Sequence, residues 1–189
     1  METLGHVYRK VEPDLFSCLV HQIIGQQISM AAQKTIWQRL LHGINPVTPK
    51  AIDAMSIPSL GNLGISPRKA AAIKGLAAGI QSGPLDISAL YAMDDQEVIR
   101  ILSSFQGIGV WTAQMALIFS MQRPDVLSFG DMGIQKGLRM LYHHRKITPA
   151  LFAKYKKRYS PHGSVASLYL WEIAGGNIPG MRDYQPQKS

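Results

Sequence analysis

Leu102-Ser103-Ser104-Phe105-Gln106-Gly107-Ile108-Gly109-Val110-Trp111-Thr112-Ala113 is the stretch that decides how this chain is read. Val98, Ile99 and Leu102 lead up to it at helical spacing, Ala113, Ala116 and Leu117 resume that spacing beyond it, and Gly107-x-Gly109 separates the two runs. The pattern predicts a helix, a short glycine hairpin and a second helix. Glycines at 107 and 109 allow a tight turn and let another molecule approach the backbone with no Cβ between them. The second helix opens beside them with N–H groups and the positive end of its dipole, which suits a phosphate oxygen. A plain connection between two packed helices would use the same glycines, and nothing in the turn reads a base.

Helical periodicity continues in both directions, and no segment alternates as a strand does. Helices are predicted over Leu15–Gly25, Ser29–Leu41, Pro49–Met55, Pro67–Gln81, Ile87–Tyr91, Asp94–Ser104, Val110–Met121, Met132–Tyr142, Pro149–Tyr159 and Gly163–Ala174. Ser29, Ser66 and Thr148 stand where N-caps belong, the last two followed by a proline in the first turn. Pro46, Pro58, Pro84 and Pro124 punctuate connections, there is no internal repeat, and a short polar tail runs from Gln185 to Ser189. The fold class expected is all-α.

The 189 residues, 46% hydrophobic and 17% charged, suffice for one well-buried domain or two small lobes. No apolar run approaches the roughly 20 residues of a membrane span. Met1-Glu2-Thr3-Leu4-Gly5-His6 lacks the basic start and apolar stretch of a signal peptide, so a cytoplasmic, nucleoid-associated protein is expected. Cys18 is the only cysteine, which leaves no intramolecular disulfide and no iron–sulfur cluster; between Phe16 and Leu19 it reads as a small core residue. His143 and His144 are adjacent, and His6, His21, His42 and His162 lack metal-ligand spacing, so all are expected at the surface or facing phosphates.

The net charge of +8 is concentrated. Between Met132 and Trp171 stand eight cations (Lys136, Arg139, Arg145, Lys146, Lys154, Lys156, Lys157, Arg158) and no acid, while the rest of the chain is neutral. Counterion release makes a phosphate backbone the natural partner of such a segment, although Lys154–Arg158 also fits a solvated helix face.

Phe105-Gln106-Gly107-Ile108-Gly109-x-Trp111-Thr112-Ala113, with Phe129-Gly130-Asp131 beyond the second helix, resembles the helix-hairpin-helix DNA glycosylase superfamily, and most the 3-methyladenine DNA glycosylase II branch. Phe16 to Ser29 is similar to the segment opening the catalytic core of that branch, Leu63 to Ala70 also fits, and Gly163 to Trp171 is similar to its closing helix. Separated blocks in the right order make the match specific. The resemblance implies a two-lobed helical bundle with the active site in the inter-lobe cleft: one lobe from both chain ends (about 1–44 and 143–189), the other (about 45–142) carrying the hairpin. It also implies that the N-terminal sheet domain of longer members is absent.

By the same resemblance Asp131 is the catalytic residue. Breaking an N-glycosidic bond leaves positive charge on the sugar, which a buried carboxylate stabilises while orienting or deprotonating a water. An alkylated purine is already cationic and leaves easily, so one carboxylate suffices; Asp131 is equally suited to capping the helix from Met132. Trp111 holds the position where bifunctional members carry a nucleophilic lysine, implying a monofunctional enzyme that leaves an abasic site. Trp111 and Trp171 match aromatics lining the pocket of the flipped base, where an indole face favours a cationic base, and Met115 replaces a third. Each Trp fits core packing as well. Gly107, Gly109 and Thr112 are expected to hold a phosphate, with Lys136 also on DNA. Gln26 and Gln27 match the segment that probes the duplex opposite the lesion. Carbonyls of Ser103, Phe105 and Ile108 match those that hold a monovalent cation, Na+ or K+; no other cofactor is implied. The partner is double-stranded DNA with alkylated bases, with no membrane or protein partner, and a monomer is expected. A non-catalytic DNA-binding module and a glycosylase-lyase are the competing functions, the latter disfavoured by Trp111.

Overall fold

The computed structural model describes residues 4–185, so Met1 to Thr3 and residues 186–189 of the polar tail lie outside the description. Among the described residues there are helices and turns and no strand. The helices are α1 (Leu15–Gly25), α2 (Met30–Gly43), α3 (Pro49–Ala54), α4 (Ile57–Asn62), α5 (Pro67–Gln81), α6 (Ile87–Leu90), α7 (Asp95–Ser103), α8 (Val110–Phe119), α9 (Met132–Tyr142), α10 (Pro149–Tyr159) and α11 (Gly163–Ala174). None is long and apolar enough to cross a membrane.

Helix α4 was not foreseen, because Pro58 reads as a breaker. Here Pro58 sits in the first turn, where its missing N–H costs nothing, and the Ser56 hydroxyl caps the helix by accepting the Ser59 N–H at 3.1 Å. Ser29 and Thr148 cap as expected, each accepting from a backbone N–H at 3.2 Å. Ser66 precedes α5 but makes no side-chain cap bond.

The chain forms two compact units, Val11–Met121 and the pairing of Met1–Lys10 with Gln122–Ser189. Both ends of the chain share a unit, but the boundaries expected near 44 and 142 fall elsewhere. Helix α1 buries Leu15, Phe16, Cys18, Leu19, Val20, Ile23 and Ile24, so it needs neighbours on every side. It finds them in α2, α5 and α8, and the first unit is built round it. Burial pushes the Cys18 thiol up to about 12, as befits an inert core residue. In the other unit α9 packs on α11 over a core of Ile134, Leu138, Phe152, Leu170 and Ile173.

Arg139, on α9, is buried and forked onto Asp183 at 2.8 and 2.6 Å. That bidentate pair ties the C-terminal segment to α9 and holds the Asp183 carboxyl below its ordinary range. A depressed carboxyl stabilises the fold above its unfolded pKa, about 4 for Asp, and that contribution disappears as pH falls through the lower folded value. Asp183→Asn should therefore lower Tm at neutral pH, and the variant and wild-type Tm curves should converge as pH is taken well below 4. Parallel curves across that range would assign the pair no role.

Candidate functional site

Within the unit 11–121, α5 is the bed of the hairpin. Gly79 leaves room for the Phe105 ring, since a Cβ there would stand 2.5 Å from its Cε1. One turn pair earlier, Ala72 lies under Gly107, where a Cβ would stand 2.5 Å from that of Ala72. Gly107 also has φ +85°, so both backbone angle and space call for glycine. Gly109 differs: it is the N-cap of α8 with φ −92°, and a Cβ on it would meet open space. No side chain caps α8 there, so the start of the helix is bare toward whatever approaches.

The expected grip on phosphate by the Thr112 hydroxyl does not fit the geometry. Thr112 is 2% exposed and its hydroxyl accepts the Gln26 amide at 3.0 Å. The same Gln26 nitrogen donates to the Gly107 carbonyl at 2.9 Å. Gln26 is therefore a strut between the end of α1 and the hairpin rather than a probe of the duplex. Lys69 from α5 completes the strut, its ammonium donating to the carbonyls of Ile24 and Gln26 at 2.9 and 2.6 Å. Partial burial lowers the Lys69 pKa. Gln27 is exposed, at φ +56° in the turn between α1 and α2. These residues, with Arg68 and Trp111, line a cavity of about 770 Å³.

Met115 is 2% exposed, buried in α8 beside Ala116, so it cannot line an open base pocket. Only Thr112 and Gln114 of α8 are polar, and Thr112 is itself buried, so the sequence does not reveal which face is core. Trp111 is half-buried and lines the hairpin cavity. Ser103, Phe105 and the buried Ile108 also line that cavity.

In the other unit the structure joins Asp131 to Trp171. Asp131 is 7% exposed and caps α9, its Oδ1 accepting the Ile134 N–H at 2.8 Å. The Trp171 indole N–H donates to the same oxygen at 3.0 Å, across 40 residues of sequence. The capping role is thus real, and it holds a nearly buried carboxylate at the positive end of a helix. Gly133, not foreseen as a site residue, makes this possible. A Cβ on it would lie 2.8 Å from Trp171 Cδ1 and 3.2 Å from Asp131 Oδ1. A glycine in the first turn of a helix was the available sequence signal, since glycine is a poor helix residue.

Lys136 is half-buried on α9, and Arg139, committed to Asp183, is not available to DNA. Lys154, Lys156, Lys157 and Arg158 are exposed on α10. His144 and His21 are not the surface groups expected: His144 bonds the Tyr155 hydroxyl at 2.6 Å, and His21 stacks on Trp37 with centroids 4.6 Å apart. Among the described residues no group of three or more His, Cys, Asp or Glu could hold a metal ion.

This arrangement agrees with what the chain is similar to. Residues 20–161 match the HhH-GPD superfamily base excision DNA repair protein model. The DNA-3-methyladenine glycosylase 1 of Schizosaccharomyces pombe is 31% identical over 87% of this chain and 74% of its own length. The DNA-3-methyladenine glycosylase 2 of Escherichia coli is 30% identical over 86% of this chain, which spans 58% of that relative. A crystal structure of a DNA-3-methyladenine glycosidase from Bacillus halodurans superposes with a TM-score of 0.83 at 34% identity, covering 97% of this chain and 86% of that one. With a matched hairpin, an acid capping the following helix and these relatives, the chain belongs to the HhH-GPD superfamily of base excision DNA repair proteins.

Proposed function

We propose that the protein is a monofunctional DNA glycosylase that hydrolyses the N-glycosidic bond of alkylated purines, of the 3-methyladenine and 7-methylguanine type, in double-stranded DNA. The observation that carries this reading is the Asp131 carboxylate, nearly buried and fixed through Oδ1 by Ile134 and Trp171. As the C–N bond lengthens, its electron pair leaves with the base and positive charge grows on the sugar. A carboxylate already oriented, in surroundings that exclude most water, stabilises that charge without reorganising. It is also the group able to take a proton from the attacking water. The cationic purine departs as a neutral base, so no second acid is required. A DNA-binding module would need Asp131 as the cap of α9 but not as a carboxylate also bonded by the Trp171 indole.

Trp111 has no amine to attack the sugar carbon, and this supports hydrolysis to an abasic site rather than Schiff-base chemistry. The start of α8 at Gly109 supplies N–H groups for a backbone phosphate, with the exposed cations of α10 as further phosphate contacts. The carbonyls of Ser103, Phe105 and Ile108 fit a weakly held Na+ or K+: they are neutral oxygens, and the Ser103 hydroxyl beside them is buried with no hydrogen-bond partner. Such an ion would add positive charge near the phosphate. To test the reading, duplexes with one modified base are incubated with the protein, and base release and strand breaks are measured with and without alkali. Free methylated purine with breaks only after alkali is expected; breaks without alkali, trapped by borohydride as a protein–DNA adduct, would make the enzyme a lyase.

A further inference from the structure

Trp171 is a natural candidate for stacking on the extruded base, yet its polar edge is already committed. The indole N–H points at Asp131 Oδ1, and the adjacent Cδ1 is wedged against the Cα of Gly133 so closely that no side chain fits between. Two donors therefore converge on one oxygen, one from the backbone of α9 and one from α11. Together they fix both the position and the rotation of the carboxylate. Resting on the proposed role of Asp131, we infer that Trp171 is a positioning residue whose effect on base release runs through its N–H to that carboxylate. Gly133 is the second member of the device, kept free of a Cβ so that the indole can reach.

This assignment separates cleanly from stacking, because phenylalanine keeps an aromatic face and loses only the N–H. Losing a hydrogen bond to a charged acceptor costs about tenfold or more. Trp171→Phe should thus slow single-turnover release of 7-methylguanine about tenfold at saturating enzyme, with the half-saturating enzyme concentration unchanged. Gly133→Ala should do the same by pushing the indole away, and the double variant should be no slower than the worse single one, because both break one interaction. In an Asp131→Asn background Trp171→Phe should cost less than about twofold. Thermal unfolding of each variant shows whether it is folded, and the Gly133 arm keeps the test readable if the Asp131 variant is too slow to follow. Trp171→Phe within twofold of wild type, or additive losses in the Gly133 pair, would overturn the inference. Full activity of Asp131→Asn alone would instead overturn the proposed role of Asp131 on which it rests.

Discussion

Asp131→Asn is expected to slow the release of an alkylated purine by about 10²-fold or more, in line with removal of a preorganised electrostatic group. The substitution is nearly isosteric. The asparagine carbonyl can still accept from the Ile134 N–H and from the Trp171 indole, so the cap of α9 and the packing of α11 persist. What goes is the negative charge. Tm and affinity for undamaged duplex should stay close to wild type, so that the loss appears in the single-turnover rate at saturating enzyme. Activity within tenfold of wild type in a folded variant would remove Asp131 from the reaction.

Gly137→Ala should produce the largest stability loss. Alanine in place of a mid-helix glycine normally gains about 1 kcal/mol. At Gly137 the added Cβ would drive into the Leu170 backbone carbonyl, with the Leu170 Cα at 3.0 Å. Backbone has no rotamer to escape into, so α9 and α11 must separate, and overpacking of that kind costs about 3 kcal/mol. The clash outweighs the propensity gain by about 2 kcal/mol, and Tm should fall by roughly 4–8 °C. Gly75→Ala on α5 is the matched control, because its Cβ would meet nothing within 4 Å and Tm should rise. A neutral Gly137→Ala would mean that the two helices can relax apart at no cost.

The hairpin and most helix ends could be read from sequence because their determinants are local: apolar spacing, a glycine at positive φ, a serine or threonine before a proline. What escaped depended on contacts across the chain. Nothing near Met115 marks it as core, because the polar Thr112 of α8 is buried too and the packing of α1 and α7 decides its faces. Nothing near Gln26 says that its amide turns inward to Gly107 and Thr112. The bond from Trp171 to Asp131 joins two helices with no sequence period in common, and Gly133 acquires its meaning only from that bond. The boundaries near 44 and 142 were not legible for a related reason, since the buried residues of α1 do not say which helices will surround it.

The strut that joins Lys69, Gln26 and the hairpin bears on the rate at which DNA is released. A loop that becomes ordered only on meeting a phosphate gives back conformational entropy with every encounter. Here that entropy is surrendered during folding, because α5 and α1 already hold the turn in shape. Encounter with duplex is governed by long-range attraction, which the strut does not alter, so loosening it shortens residence on DNA and leaves the association rate near that of the intact protein. On the proposed function this makes Lys69, whose ammonium holds the carbonyls of Ile24 and Gln26, a determinant of dwell time on duplex through the shape of the turn.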